Sequence, residues 1–154
     1  MTIIIKTQAE YNKLPKEFKE FTKIEIRSDS NTWIEVRNVP KNSHVSACDS
    51  SYVSAHDSSY VSAHDSSQVI AYDSSQVTAY GSSQVRAYDS SQVIAYGSSH
   101  VIAYGSSQVS AYGSSQVIML DSCKLTQSKG IYKHTGNVIK LTKPEFEMWQ
   151  LVYE

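Results

Sequence analysis

Residues 91–98 read Ser-Gln-Val-Ile-Ala-Tyr-Gly-Ser. The same octad, Ser, x, Val, x, Ala, x, Asp or Gly, Ser, runs unbroken from Ser43 to Ser122 and occurs ten times. Val holds the third place in every copy, from Val45 to Val117, and Ser the first and last. Ala holds the fifth place in nine copies, with Met119 in the tenth. The second, fourth and sixth places vary among Gln, His and Tyr, then Ser, Ile, Thr and Arg, then Cys, His, Tyr and Leu. Constancy and variation therefore alternate with period two, the signature of a strand whose side chains point to opposite faces in turn. Places three and five face a core, and places two, four and six face out. The Asp/Gly-Ser-Ser run between strands consists of turn formers: Gly, and less readily Asp, accepts positive φ, and Ser hydroxyls bond nearby backbone.

One octad is thus one strand and one corner, which is too short to encircle a core, so two octads make a coil. The expected fold is mainly β: a two-faced parallel β-solenoid, or β-roll, of about five 16-residue coils. At about 4.8 Å per coil the octad block is about 24 Å long. Its core is thin, Val and Ala against Val and Ala, with Ser ladders at the corners.

The chain divides into an N-terminal cap (residues 1–42), the solenoid (43–122) and a C-terminal cap (123–154). Solenoids leave strand edges open at their ends, and caps close them. In the first cap, residues 2–6 read as a strand. Thr7-Gln8-Ala9-Glu10 has capping-box spacing, and Tyr11, Leu14, Phe18 and Phe21 follow at helical intervals, interrupted by Pro15. Residues 24–26 and 33–36 alternate as strands. In the second cap Leu125 keeps the Val register, residues 131–140 suggest a hairpin around Gly136-Asn137, and a helix opening at Thr142 carries Phe146, Trp149 and Tyr153 on one side.

The run from Ala95 to Gln108 resembles the octapeptide repeats of bacterial ice-nucleation proteins, in which Ala-Gly-Tyr-Gly-Ser-Thr units pair into 16-residue coils. The resemblance covers about half the chain. The octads are also similar to Val-x-Ala-x-Gly/Asp-x-Ser units of uncharacterised bacterial and phage-encoded proteins. The ice-nucleation resemblance implies a β-solenoid with a Tyr ladder used for pairing and Thr-x-Thr rows that order water. Here the matching positions read Ser-x-Val or Gln-x-Ile, and Thr78 is the single Thr of the block.

Even-numbered copies place Ile70, Arg86, Ile102 and Ile118 beside Tyr72, Tyr88, Tyr104 and Leu120, a flat Tyr/Ile face rimmed by Gln and His. Odd copies offer Tyr80, Ile94, Tyr96 and Tyr112 as a second face. Apolar patches of this kind mark a partner or self-association surface, and Tyr ladders also stabilise the stack itself. The block holds six Asp and one Arg, and the whole chain has net charge −1, so the flanks sum to −1 − (1 − 6) = +4. An acidic rod lies between basic caps, so nucleic-acid binding is not expected, although the Asp corner raises an alternative role as an acidic nucleic-acid mimic. No cofactor or metal is expected. His44, Cys48 and His64 lack a fourth ligand, His56 and His64 fall on opposite faces, and no Ser stands beside a His and a carboxylate.

These features point to a cytoplasmic, non-enzymatic protein-interaction scaffold that binds a protein partner or itself, as a homodimer, through the Tyr/Ile face. A chain of this type suits a phage- or prophage-encoded inhibitor of a host defence protein. The alternative is an ice- or surface-binding solenoid. No apolar run is long enough to span a membrane. Because each strand repeats the same tight core, Val77→Phe or Val93→Phe is expected to cost more than the ~1–3 kcal/mol usual for overpacking, read from urea unfolding.

Overall fold

The computed structural model describes residues 1–29, 32–128, 131–135 and 151–152. The chain begins with β1 (Thr2–Ile5), a one-turn helix α1 (Gln8–Tyr11), β2 (Glu17–Ile26) and β3 (Trp33–Val36). The octads follow as β4 (Lys41–Ala47), β5 (Tyr52–Ala55), β6 (Tyr60–Ala63), β7 (Gln68–Ala71), β8 (Gln76–Ala79), β9 (Gln84–Ala87), β10 (Gln92–Ala95), β11 (His100–Ala103), β12 (Gln108–Ala111) and β13 (Gln116–Leu120). Beyond them lie β14 (Lys124–Ser128), β15 (Ile131–Thr135) and β16 (Leu151–Val152).

Two eight-stranded sheets result: β1-β2-β4-β6-β8-β10-β12-β14, here called A, and β16-β15-β13-β11-β9-β7-β5-β3, called B. Every pairing is parallel, and within the octads each residue sits opposite the residue sixteen positions on, as Val77, Val93 and Val109 do. Successive octads alternate between the sheets, so the chain is a parallel β-solenoid of two octads per coil. Among the described residues, no helix is long and apolar enough to cross a membrane.

The inward columns are Val and Ala, at most 1% exposed, with Met119 of the last octad strand at 4%. The first-place serines are inward too: Ser51, Ser67, Ser75 and Ser83 are fully buried. Period two thus extends one residue further than the Val and Ala alone suggest, and Ser is chosen there for being small as the chain enters the strand. At most corners the N–H of this Ser donates to the carbonyl three residues back, as Ser83 does to Tyr80 at 3.3 Å, while the neighbouring peptide continues the ladder, as Ser82 does to Asp65 at 2.9 Å.

The seventh place requires positive φ. All ten copies have it, from Asp49 at 58° through Gly81 at 65° to Asp121 at 63°. From Asp65 onward, where Asp occupies it the carboxylate accepts the N–H of the same place one coil earlier: Asp57 to Asp73 at 3.1 Å, Asp73 to Asp89 at 3.3 Å, Gly105 to Asp121 at 3.3 Å. Asp therefore trades backbone strain for a hydrogen bond between coils, and Gly gives up both.

The flanks extend the solenoid. Below the octads, Ile24 and Ile26 stack under Val45 and Ala47, and Ile34 and Val36 under Val53 and Ala55. The Thr7–Glu10 capping box forms, with Thr7 Oγ1 accepting the Glu10 N–H and Glu10 Oε2 accepting the Lys6 and Thr7 N–H groups. The helix stops at Tyr11, however, and Phe18 and Phe21 lie on β2 instead. Pro15 ends the helical run, and Phe18 is then buried by strand alternation. Above the octads, Leu125 keeps the Val register opposite Val109. Of the hairpin expected over 131–140 only the first half is described, and Ile131–Thr135 pairs in parallel with β13 as the next coil. The turn at Gly136-Asn137, and Thr142, Phe146, Trp149 and Tyr153 of the expected helix, lie outside the described residues, while Leu151–Val152 is strand.

A Cβ on Gly81 would lie 3.3 Å from the Asp65 carbonyl oxygen and 3.4 Å from its nitrogen. Asn tolerates positive φ and can accept the Asp65 N–H as Asp does elsewhere, so Gly81→Asn should leave the urea midpoint unchanged or raise it. Gly81→Val should cost about 2 kcal/mol, since a β-branched residue is strained there.

Candidate functional site

The outer face of sheet B is built from three columns. The central one runs Ser54, Ile70, Arg86, Ile102, Ile118, each opposite the next in register. Beside it stand His56, Tyr72, Tyr88, Tyr104 and Leu120, and on the other side Tyr52, Gln68, Gln84, His100 and Gln116. All eight residues expected to form a partner face therefore lie on one face. The ring column is continuous: His56 stacks on Tyr72 at 4.9 Å, Tyr72 on Tyr88 at 5.3 Å, and Tyr88 on Tyr104 at 4.8 Å. Offset ring pairs contribute about 0.5–1.5 kcal/mol each beyond burial, so the column is a stiff wall, half-buried by its own neighbours.

Arg86 differs from the rest of the face. It is exposed, it is flanked in register by Ile70 and Ile102, and it forms no salt bridge among the described residues. It is also the single Lys or Arg of the octad block. The neighbouring corner is acidic, but the carboxylates of Asp73 and Asp89 face the backbone N–H of the coil before.

Sheet A carries the matching ring column, His64, Tyr80, Tyr96 and Tyr112, with centroids 5.0, 5.4 and 5.0 Å apart. Its central column is mostly hydroxyl: Ser46, Ser62 and Thr78 are buried. Long side chains lie across them, His44 Nε2 meeting Ser62 Oγ at 3.0 Å and Tyr60 OH meeting Thr78 Oγ1 at 2.8 Å. Tyr60, Tyr80 and Ile94 are more exposed here than any described large apolar residue of sheet B, and Tyr96 equals Ile118. The second face is therefore rougher, with Ser62 and Thr78 bridged internally and the buried Ser46 hydroxyl left without a partner among the described residues.

His44, Cys48 and His64 do not assemble. Among the described residues no group of three His, Cys, Asp or Glu is placed to hold a metal ion. Burial holds His44 below its ordinary pKa, helped by His64 and Lys23, and burial pushes the Cys48 thiol up, which disfavours thiolate chemistry. Both Cys48 and Cys123 are buried and free.

Two arginines not singled out by sequence head the columns. Arg27 reaches Asp49 at 2.6 Å and Arg37 reaches Asp57 at 3.9 Å, so each Asp corner begins on a cation from the flanking coil. The loop between β3 and β4 breaks the count of sixteen and hides this pairing from the sequence. Gln8 was likewise invisible, and it closes on the backbone of Glu35.

No protein-family model, curated protein or solved structure matches this chain.

The ring columns carry a pH signature. Burial, then the neighbouring hydroxyls Tyr104 and Tyr72, holds Tyr88 above the ordinary 10.0, against Arg86, which opposes it. Burial raises Tyr80 too, and pushes Tyr11 to about 12. Groups with a raised folded pKa favour the protonated native state, so their contribution is intact below pH 10 and is lost as pH climbs through the folded values. A tyrosinate absorbance titration of the native chain should show a late phase above pH 10, reaching about 12, that disappears in denaturant.

Proposed function

We propose that this chain is a non-enzymatic interaction scaffold that docks another protein on the outer face of sheet B. The observation that carries the reading is Arg86: a cation unpaired among the described residues, at the midpoint of an Ile column and beside a stacked Tyr wall. Such a face asks for an apolar partner surface that brings one carboxylate to the centre, because an arginine desolvated without a counter-charge is costly. It also disfavours centred self-pairing, since a two-fold axis through the middle coil would set Arg86 against its own copy. The rigid register gives the partner a preorganised surface, which limits the entropy lost on binding. An occluding inhibitor of a host protein, of the kind phages and prophages encode, is the role that suits a compact scaffold of this design.

An ice- or surface-binding role draws less support. Thr78 is buried under Tyr60, so the block's single Thr offers no hydroxyl row to ordered water. A role as an acidic mimic is weakened because the corner carboxylates serve neighbouring backbone N–H groups and the row is broken at Gly105. The likeness to ice-nucleation repeats then reflects shared coil architecture.

The test is retention of proteins from a bacterial lysate by wild type, by Tyr88→Asp with Ile102→Asp, and by Arg86→Glu, followed by affinity measurement on the purified partner. The double change should abolish binding and Arg86→Glu should weaken it at least about tenfold, with circular dichroism unchanged. A partner held equally well by all three would overturn the reading.

A further inference from the structure

The two sheets end differently at the start of the solenoid. On sheet B the terminal strand is β3, and the Gln8 amide closes on it as another strand would: its Nε2 donates to the Glu35 carbonyl at 3.2 Å, and the Glu35 N–H donates to its Oε1 at 2.6 Å. On sheet A the terminal strand is β1, which among the described residues pairs with β2 alone. The Lys23 and Arg27 N–H groups donate to the Met1 and Ile5 carbonyls at 2.9 and 2.8 Å. In a parallel ladder alternate residues turn to the same neighbour, so the peptide groups of Thr2 and Ile4 face away along the solenoid axis.

The edge is short, but within its four residues it carries no charge, proline or bulge. Natural edge strands use charge, proline or a bulge to prevent pairing. Thr2-Ile3-Ile4-Ile5 is uncharged and β-branched throughout, and beside it Ile4 is 53% and Phe21 67% exposed.

We propose that β1 pairs antiparallel with β1 of a second copy about a two-fold axis, joining the two A sheets into one. A second copy fits because the segment is self-complementary: no charged residue within the strand meets its like, and the two-fold leaves Ile4 and Phe21 of both copies on the same outer face of the continuous sheet. With the β3 edge already filled by Gln8, one open edge remains at this end, so pairing here closes at two copies. Four-residue strands bury little area, so the dimer is weak and concentration-dependent. Its contact is separate from the outer face of sheet B, and it would present two docking faces at once.

Sedimentation velocity from about 5 to about 500 µM tests this. Wild type should rise toward twice the chain mass, and exchange protection of the Ile4 amide should rise with concentration. Ile4→Pro removes an outward N–H without touching the β1–β2 bonds, and should weaken association at least about tenfold with the unfolding midpoint retained. Ile4→Lys serves if the proline variant fails to fold. Tyr88→Asp with Ile102→Asp should dimerise as wild type does. A chain that stays monomeric throughout, or self-association lost in the Tyr88/Ile102 variant and kept in both Ile4 variants, would overturn the proposal.

Discussion

Each octad residue of this solenoid lies opposite the residue occupying the same place in the coils before and after it. That register of sixteen is the constraint on which the rest depends, because every side chain must be compatible with copies of its own kind at strand spacing. Val on Val and Ala on Ala satisfy it by size. Tyr on Tyr satisfies it by stacking, with centroids near 5 Å in both ring columns. Asp on Asp would ordinarily be repulsive; here each carboxylate takes up the N–H of the coil before it, and the first Asp of each row meets an arginine. The chemistry of a column is thus settled before any partner is considered.

This constraint is also what made the body of the molecule legible in sequence. Constant third and fifth places with variable neighbours yield the period, and two octads per coil yield the register. The outward columns that hold Ile70 to Ile118 and Tyr72 to Tyr104 then follow by counting. The first-place Ser was harder to place, because its small polar side chain fits a corner as well as a core, and burial alone separates the two. The flanks resisted reading for a different reason. There the count of sixteen fails: β2 shifts register between Glu17 and Thr22, and β14 between the partners of Val109 and Ser110. Tyr11, Leu14, Phe18 and Phe21 mimic a helical stripe, but Pro15 cuts it, and β2 bonds to β4 take over.

The candidate site was legible as a set of residues but not as a set of contacts. Sequence places Arg86 on the even face; geometry adds that no carboxylate among the described residues answers it. Sequence leaves both faces open as partner surfaces; geometry shows the Ser62 and Thr78 hydroxyls of sheet A already bridged by His44 and Tyr60. Variation at outward places is where a repeat can acquire function without disturbing its core, and a single cation in an apolar column is the strongest departure from uniformity in the block. A partner-binding role is therefore argued from the exception to the repeat, and the fold from the rule.

Both arguments rest on two octads per coil, and the most direct measurement is the set of backbone nuclear Overhauser contacts made by Ile102. The account predicts contacts with Arg86 and Ile118, its parallel neighbours sixteen residues away. Contacts instead with residues of the adjacent octad, such as Ile94, in an antiparallel pattern would mean a hairpin meander with one octad per layer. The columns, the ring stacks and the docking face would then all be wrongly assembled.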